Sequence, residues 1–170
     1  LYTYLEKDST NEKKVTRLNT CMNYDGLTLK ELMASPLPPI TYQRRLLFRP
    51  TLAEVKYTYN LLNEQVFAGE MIRPTIILGP RRRKWWGMCE GSIDQHSNGS
   101  YCKIQLMDKW FCRQWFVTVL AHEMAHQYQW DINGPERAEA GKDWIMSHGP
   151  SFFAFRNRLE EHDIPLKTSQ

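Results

Sequence analysis

The chain reads as one α+β domain, with helices packed on a small antiparallel sheet, and three observations predict it. Its 170 residues suit a single hydrophobic core. Two long stretches, residues 51–66 and 109–130, repeat their apolar side chains at helical spacing. Between them lie short β-branched or alternating runs bounded by Gly, Pro and Asn, the pattern of strands and turns. Hydrophobic residues make up 42% and charged residues 24%, ordinary globular usage, and six Trp and eight Tyr add large rigid side chains. The domain is expected over residues 41–165, after an N-terminal arm and Pro-rich linker at 1–40 and before a tail at 166–170.

In chain order, residues 1–40 are polar and mixed in charge, and they close on Ser35-Pro36-Leu37-Pro38-Pro39, which favours an extended linker. Thr51 and Glu54 then form a capping box, Val55, Tyr59, Leu62 and Val66 follow at helical spacing, and Gly69 stops the helix. Residues 74–78 are a short β-branched run opened by Pro74, and residues 79–87 read as a turn or loop tip. Asn98-Gly99 is a two-residue turn signal for a hairpin. After it Cys102, Ile104 and Leu106 alternate with Tyr101, Lys103 and Gln105, so one face is buried and the other wet. From Lys109 to Trp130 the pattern is helical, with Trp115, Val119, His122 and His126 on one face and Phe116, Leu120 and Met124 beside it. Residues 131–147 are a polar loop, and residues 149–163 form a last helix with Pro150 in its first turn.

The motif helix carries the chemistry. His122, Glu123 and His126 stand in the order H-E-x-x-H. Residues four apart share a helix face, so two imidazoles from one rigid element aim at one ion. Glu123, turned by about 100 degrees around the axis, reaches a water rather than the metal and suits a general base. Lone histidines on an apolar helix usually end as core or surface residues. Two at this spacing with a Glu between them, in a stretch where unpaired ionisable groups are costly to bury, point to one zinc ion per chain and a zincin-like metalloprotease domain. A catalytic zinc takes three protein ligands, leaving a fourth position for a water whose pKa falls from about 15.7 to about 7. For the third ligand, Gln129 and Ile132 stand where a metzincin needs Gly and His. The carboxylates Glu136, Glu139 and Asp143 remain open on spacing, and His148 is the better candidate because it opens the last helix beside Gly149 and an aromatic cluster. His96, at a hairpin tip, and His162, in a charged stretch, read as solvated.

Three segments carry a resemblance: residues 47–69, with an Asn before a Val-Phe-Ala-Gly end; residues 120–130 around the H-E-x-x-H; and residues 147–155, Ser-His-Gly-Pro-Ser-Phe-Phe-Ala-Phe, similar to an H-G-x-x-F third-ligand segment. Together they resemble the SprT-like (Spartan) family of zinc metalloproteases, over about Leu47 to Leu159. The resemblance implies that His122, His126 and His148 are zinc ligands and Glu123 the catalytic acid/base. It further implies an endopeptidase acting on DNA-bound or DNA-crosslinked proteins.

A basic tip is consistent with such a partner. Arg81, Arg82, Arg83 and Lys84 are followed by Trp85 and Trp86, a combination suited to phosphate contact and stacking on single-stranded or partly unpaired DNA. Strand alternation would expose one of the two tryptophans, and Arg44, Arg45 and Arg49 are candidates to extend the patch. A DNA-binding adaptor with a structural zinc, or a zinc hydrolase of a non-protein substrate, are the competing readings. The cysteines Cys21, Cys89, Cys102 and Cys112 form no C-x-x-C pair and are expected as reduced thiols, although Cys89 and Cys102 could face each other across a hairpin. No apolar run reaches the roughly 18 residues of a membrane span, and the first residues lack a signal peptide's apolar core, so an intracellular protein is expected.

Overall fold

Capping boxes start two of the helices. The structure, a computed structural model, describes residues 26–34, 46, 48–80, 85–135 and 148–168. In α2 (Leu52–Gln65) the Thr51 hydroxyl accepts from the Glu54 N–H while the Glu54 carboxylate accepts from the Thr51 N–H, as the sequence predicts. The same reciprocal pair, Thr28 and Glu31, opens α1 (Leu29–Met33), a helix inside the predicted arm. Its Leu29 and Leu32 are buried, and Tyr57 of α2 donates to the Leu27 carbonyl at 2.9 Å, tying the two helices together. A five-residue helix is too short to show periodicity, which is why reading the pattern along the chain passes over it. The remainder of residues 1–40 lies outside the described residues, as do Arg44 and Arg45.

Strands β1 (Thr75–Gly79), β2 (Gly87–Gly91) and β3 (Cys102–Met107) form a mixed sheet in the order β1-β3-β2. The antiparallel sheet expected from the sequence is therefore corrected in part. β2 and β3 are an antiparallel hairpin with Gly91 opposite Cys102, but β1 pairs parallel to β3 with Ile76 opposite Ile104. Alternation decides which side chains face the core, not which neighbour a strand joins, and β3 inserts between two strands that precede it. Nor does Asn98-Gly99 close the hairpin directly. It turns within a longer connection, residues 92–101, where the Gly99 N–H donates to the His96 carbonyl at 2.8 Å and Gly99 takes a φ of +89°.

The core-facing row of the sheet, with Ile76, Leu78, Ile104 and Leu106, meets α2 and α3 (Arg113–Asp131) in one hydrophobic core. Phe48 and Trp110 form a β-bridge, holding Trp110 extended, so α3 starts at Arg113 rather than Lys109. From Phe116 to Ala125 every residue of α3 is buried, as expected of a helix apolar on nearly all sides. Two glycines of β2 let it close on the sheet: a Cβ at Gly91 would fall 2.0 Å from the Trp130 ring, and one at Gly87 would fall 2.9 Å from Val119 and Glu123. The last helix begins later than predicted, as a turn from His148, a 3-10 helix at Phe152–Phe155 and then α4 (Arg156–Glu160). Beyond it Ile164 and Leu166 return to the core. Among the described residues no helix is long and apolar enough to cross a membrane.

Candidate metal centre

His122 and His126 project from the buried middle of α3, one turn apart, and His148 enters from the turn that leads into the 3-10 helix. One ring nitrogen from each lies within 4.8 Å of the others. The Nε2 atoms of His122 and His148 are 3.2 Å apart. Two nitrogens each about 2.0–2.1 Å from a tetrahedral zinc are themselves about 3.3–3.4 Å apart, so the spacing fits such an ion. Phe152, fully buried, forms a common apolar floor: its ring centroid is 4.9 Å from that of His122 and 4.6 Å from those of His126 and His148.

The electrostatics suit ligation. Burial, reinforced by the His126 and His148 rings, pushes His122 down to about 3 from its ordinary 6.5. The Lys167 backbone beside that ring works the other way, without closing a hydrogen bond to the buried Nδ1. His126 falls to about 4, again mainly through burial, and burial also lowers His148. Near neutral pH the rings are therefore uncharged, the form that donates a lone pair to a metal. Three neutral imidazoles converging on one point are a donor set for a zinc-like cation. They hold no acceptor stronger than their own nitrogens, so without a cation they satisfy one another poorly.

Glu123 stands beside this cluster and outside it: among the described residues the grouping that could hold an ion comprises the three histidines alone. The carboxyl is buried against β2, close enough that a Cβ at Gly87 would fall 2.9 Å from its Cγ and Oε1. Desolvation raises its pKa to about 8, opposed by the Cys89 backbone N–H.

The sequence-predicted ligands thus come together, with Glu123 adjacent. His96 and His162 are not part of the cluster, and Glu136, Glu139 and Asp143 lie outside the described residues. Arg81, Arg82, Arg83 and Lys84 also lie outside them. Of the two tryptophans that follow, Trp85 is exposed, whereas Trp86 turns inward against Trp110, Phe111 and Trp115, with ring centroids 4.8–6.0 Å away. Cys89, Cys102 and Cys112 are free thiols. A hydrogen bond with Cys102 and burial hold the Cys89 thiol well above its ordinary range, which disfavours the thiolate. Sequence reading missed the roles of three residues: Gly87 altogether, Phe152, which it met only as the aromatic end of the H-G-x-x-F segment, and Gln129, which it met only as the residue standing where a metzincin needs Gly. No protein-family model and no curated protein matches this chain.

Proposed function

We propose that this protein is a zinc-dependent endopeptidase of the SprT-like kind that cleaves proteins bound or crosslinked to DNA. The observation that carries the reading is the convergence of three neutral imidazoles, His122, His126 and His148, beside a buried carboxyl that takes no part in their cluster. Zinc held by His122, His126 and His148 would supply a Lewis acid, able to acidify water and polarise a carbonyl oxygen. Glu123 takes the proton from water as it attacks the peptide carbonyl and returns that proton to the leaving amine. Burial raises this carboxyl to about 8, and a cation on the three imidazoles would pull it back down into the range where it can both take and return a proton. Next to it, β2 is an edge strand of the sheet. Trp86 and Ser92 bond to β3, so by alternation Gly87, Cys89 and Gly91 direct their backbone groups away from it. An extended substrate peptide would add to that edge and bring its carbonyl to Glu123.

The DNA partner is supported by the four consecutive cations joining Pro80 to Trp85 and by what lies at either end of them. Ile77, Pro80, Trp85, Trp86, Gln105 and Met107 line a cleft of about 380 Å³. Its apolar walls, one amide and an exposed Trp85 suit an unpaired base.

The test incubates the pure protein with a DNA-binding protein, with and without single-stranded DNA, beside Glu123→Gln and Trp85→Ala, and follows fragments on a gel. The expected result is cleavage that needs DNA and Glu123 and that weakens in Trp85→Ala. Cleavage unchanged in Glu123→Gln sinks the assignment. DNA binding with zinc retained but no fragments from any protein substrate replaces it with an adaptor.

A further inference from the structure

Gln129 is fully buried, so both ends of its amide need partners, and both have them. Its Oε1 lies 3.0 Å from His126 Nδ1, and its Nε2 donates to Ser151 Oγ at 2.8 Å. An amide oxygen only accepts, so in this arrangement His126 carries its hydrogen on Nδ1 and leaves Nε2 bare towards the cluster. With the amide reversed, Nδ1 would accept and Nε2 would hold a hydrogen aimed at the other two rings. The orientation of one side chain therefore selects the tautomer that ligates. The other end acts on a different ligand. Ser151 stands three residues after His148 in the turn before the 3-10 helix, so the amide fastens the segment carrying the third imidazole to α3.

We infer that Gln129 is the positioning residue of the metal centre, setting the His126 tautomer with its oxygen and anchoring the His148 segment through Ser151 with its nitrogen. The inference rests on the metal reading proposed above. It assigns a role for which neither the H-E-x-x-H spacing nor the ligand count provides. A hydrogen bond to the far nitrogen of a ligating histidine is worth about 10- to 100-fold in metal affinity, which sets the scale of the effect.

The experiment uses the whole chain and three variants. Gln129→Met keeps the length and removes both bonds; Gln129→Glu keeps an acceptor for His126 and accepts from the Ser151 hydroxyl; Ser151→Ala removes only the second bond. Zinc affinity is read by competition with a chromophoric chelator, and the His126 tautomer by long-range proton–nitrogen NMR of the metal-free protein. The wild type is expected to show the Nδ1–H form. Gln129→Met should bind zinc about 10- to 100-fold more weakly with mixed tautomers, while Gln129→Glu stays within about threefold of wild type and keeps Nδ1–H. Ser151→Ala should lose affinity without changing the tautomer, which separates the two halves of the role even where Gln129→Met folds poorly. An Nε2–H wild type overturns the inference. So does Gln129→Met with wild-type zinc affinity, or a lowered unfolding temperature in every variant, Glu included, with affinity unmoved. Wild-type protein that binds no zinc overturns the metal centre as well, so the two failures are told apart.

Discussion

α3 carries two buried polar clusters, and they are built in opposite ways. Towards its C-terminal end Asp131 accepts from the Tyr101 N–H at 2.8 Å, the Ser100 hydroxyl at 2.8 Å and the Gln127 amide at 2.7 Å. Gln127 also donates to the Ile72 carbonyl at 2.7 Å, and its oxygen lies 3.0 Å from the Tyr59 hydroxyl. Every member has a partner, so the cluster needs nothing further and serves to lock the hairpin base and α2 to the helix. Nearer the middle of the helix, His122 and His148 face each other nitrogen to nitrogen, and His122 Nδ1 is buried without a hydrogen bond. Polar groups in that state are costly unless something completes them, and three converging imidazole nitrogens are a donor set that a cation would complete. Scaffold and site differ here by what remains unpaired.

The contrast is broken most directly by exchanging which property fails. His122→Ala should weaken zinc binding by more than about 100-fold while costing the metal-free protein less than the loss of Asp131 does, since it gives up ring packing on Phe152 and one contact with His148 rather than three hydrogen bonds. Chelator competition and urea unfolding read the two effects separately, and a large loss of metal-free stability would make His122 a scaffold residue. Asp131→Ala should do the reverse, costing roughly 2–4 kcal/mol through three orphaned donors, with zinc affinity nearly unchanged in the folded fraction. Zinc affinity falling with it would show that the two clusters are one.

Gly91→Ala probes the scaffold side again. Its Cβ would meet the Trp130 ring at 2.0 Å, so roughly 1–3 kcal/mol of stability should be lost by overpacking, measured by urea unfolding. An unchanged midpoint would mean that Trp130 swings clear.

The smallest effect sharpens the comparison through pH, because the site's titrations oppose each other. His122 and His126 have folded pKa values of about 3 and 4, below their ordinary 6.5. Their contribution to metal-free stability is full above the ordinary value and is lost as pH falls towards the folded ones. Glu123, raised from 4.5 to about 8, contributes stability that is full below its ordinary value and lost as pH rises through the folded one. Metal-free stability should therefore peak at about pH 6.5 and fall on both sides at similar rates, since below the peak the two rings act against Glu123 and above it Glu123 acts alone. Urea unfolding in the presence of chelator across pH 5 to 8 checks this, and a curve that only rises or only falls contradicts the burial of one group or the other.

Local rules carried well through this chain wherever the signal was local. The capping box at Thr51 and Glu54, the burial of Cys102, Ile104 and Leu106, and the pairing of His122 with His126 all depend on residues a few positions apart. Each follows from the repeat of a helix or a strand. The parallel pairing of β1 with β3, the start of α3 after Trp110 and which of the two tryptophans turns inward were not legible, because each depends on a neighbour far along the chain.

By itself, then, the order of residues determined the helix that bears the H-E-x-x-H motif, the two imidazoles on its face and the α+β class, since periodicity and spacing are properties of one element. Only the tertiary structure decided that His148 completes the set. It also placed Phe152 beneath all three rings, made room for Glu123 at Gly87 and let Gln129 reach both His126 and Ser151. Those contacts join separate elements across a packed interior, where geometry is set by the close packing of the whole core and not by distance along the chain.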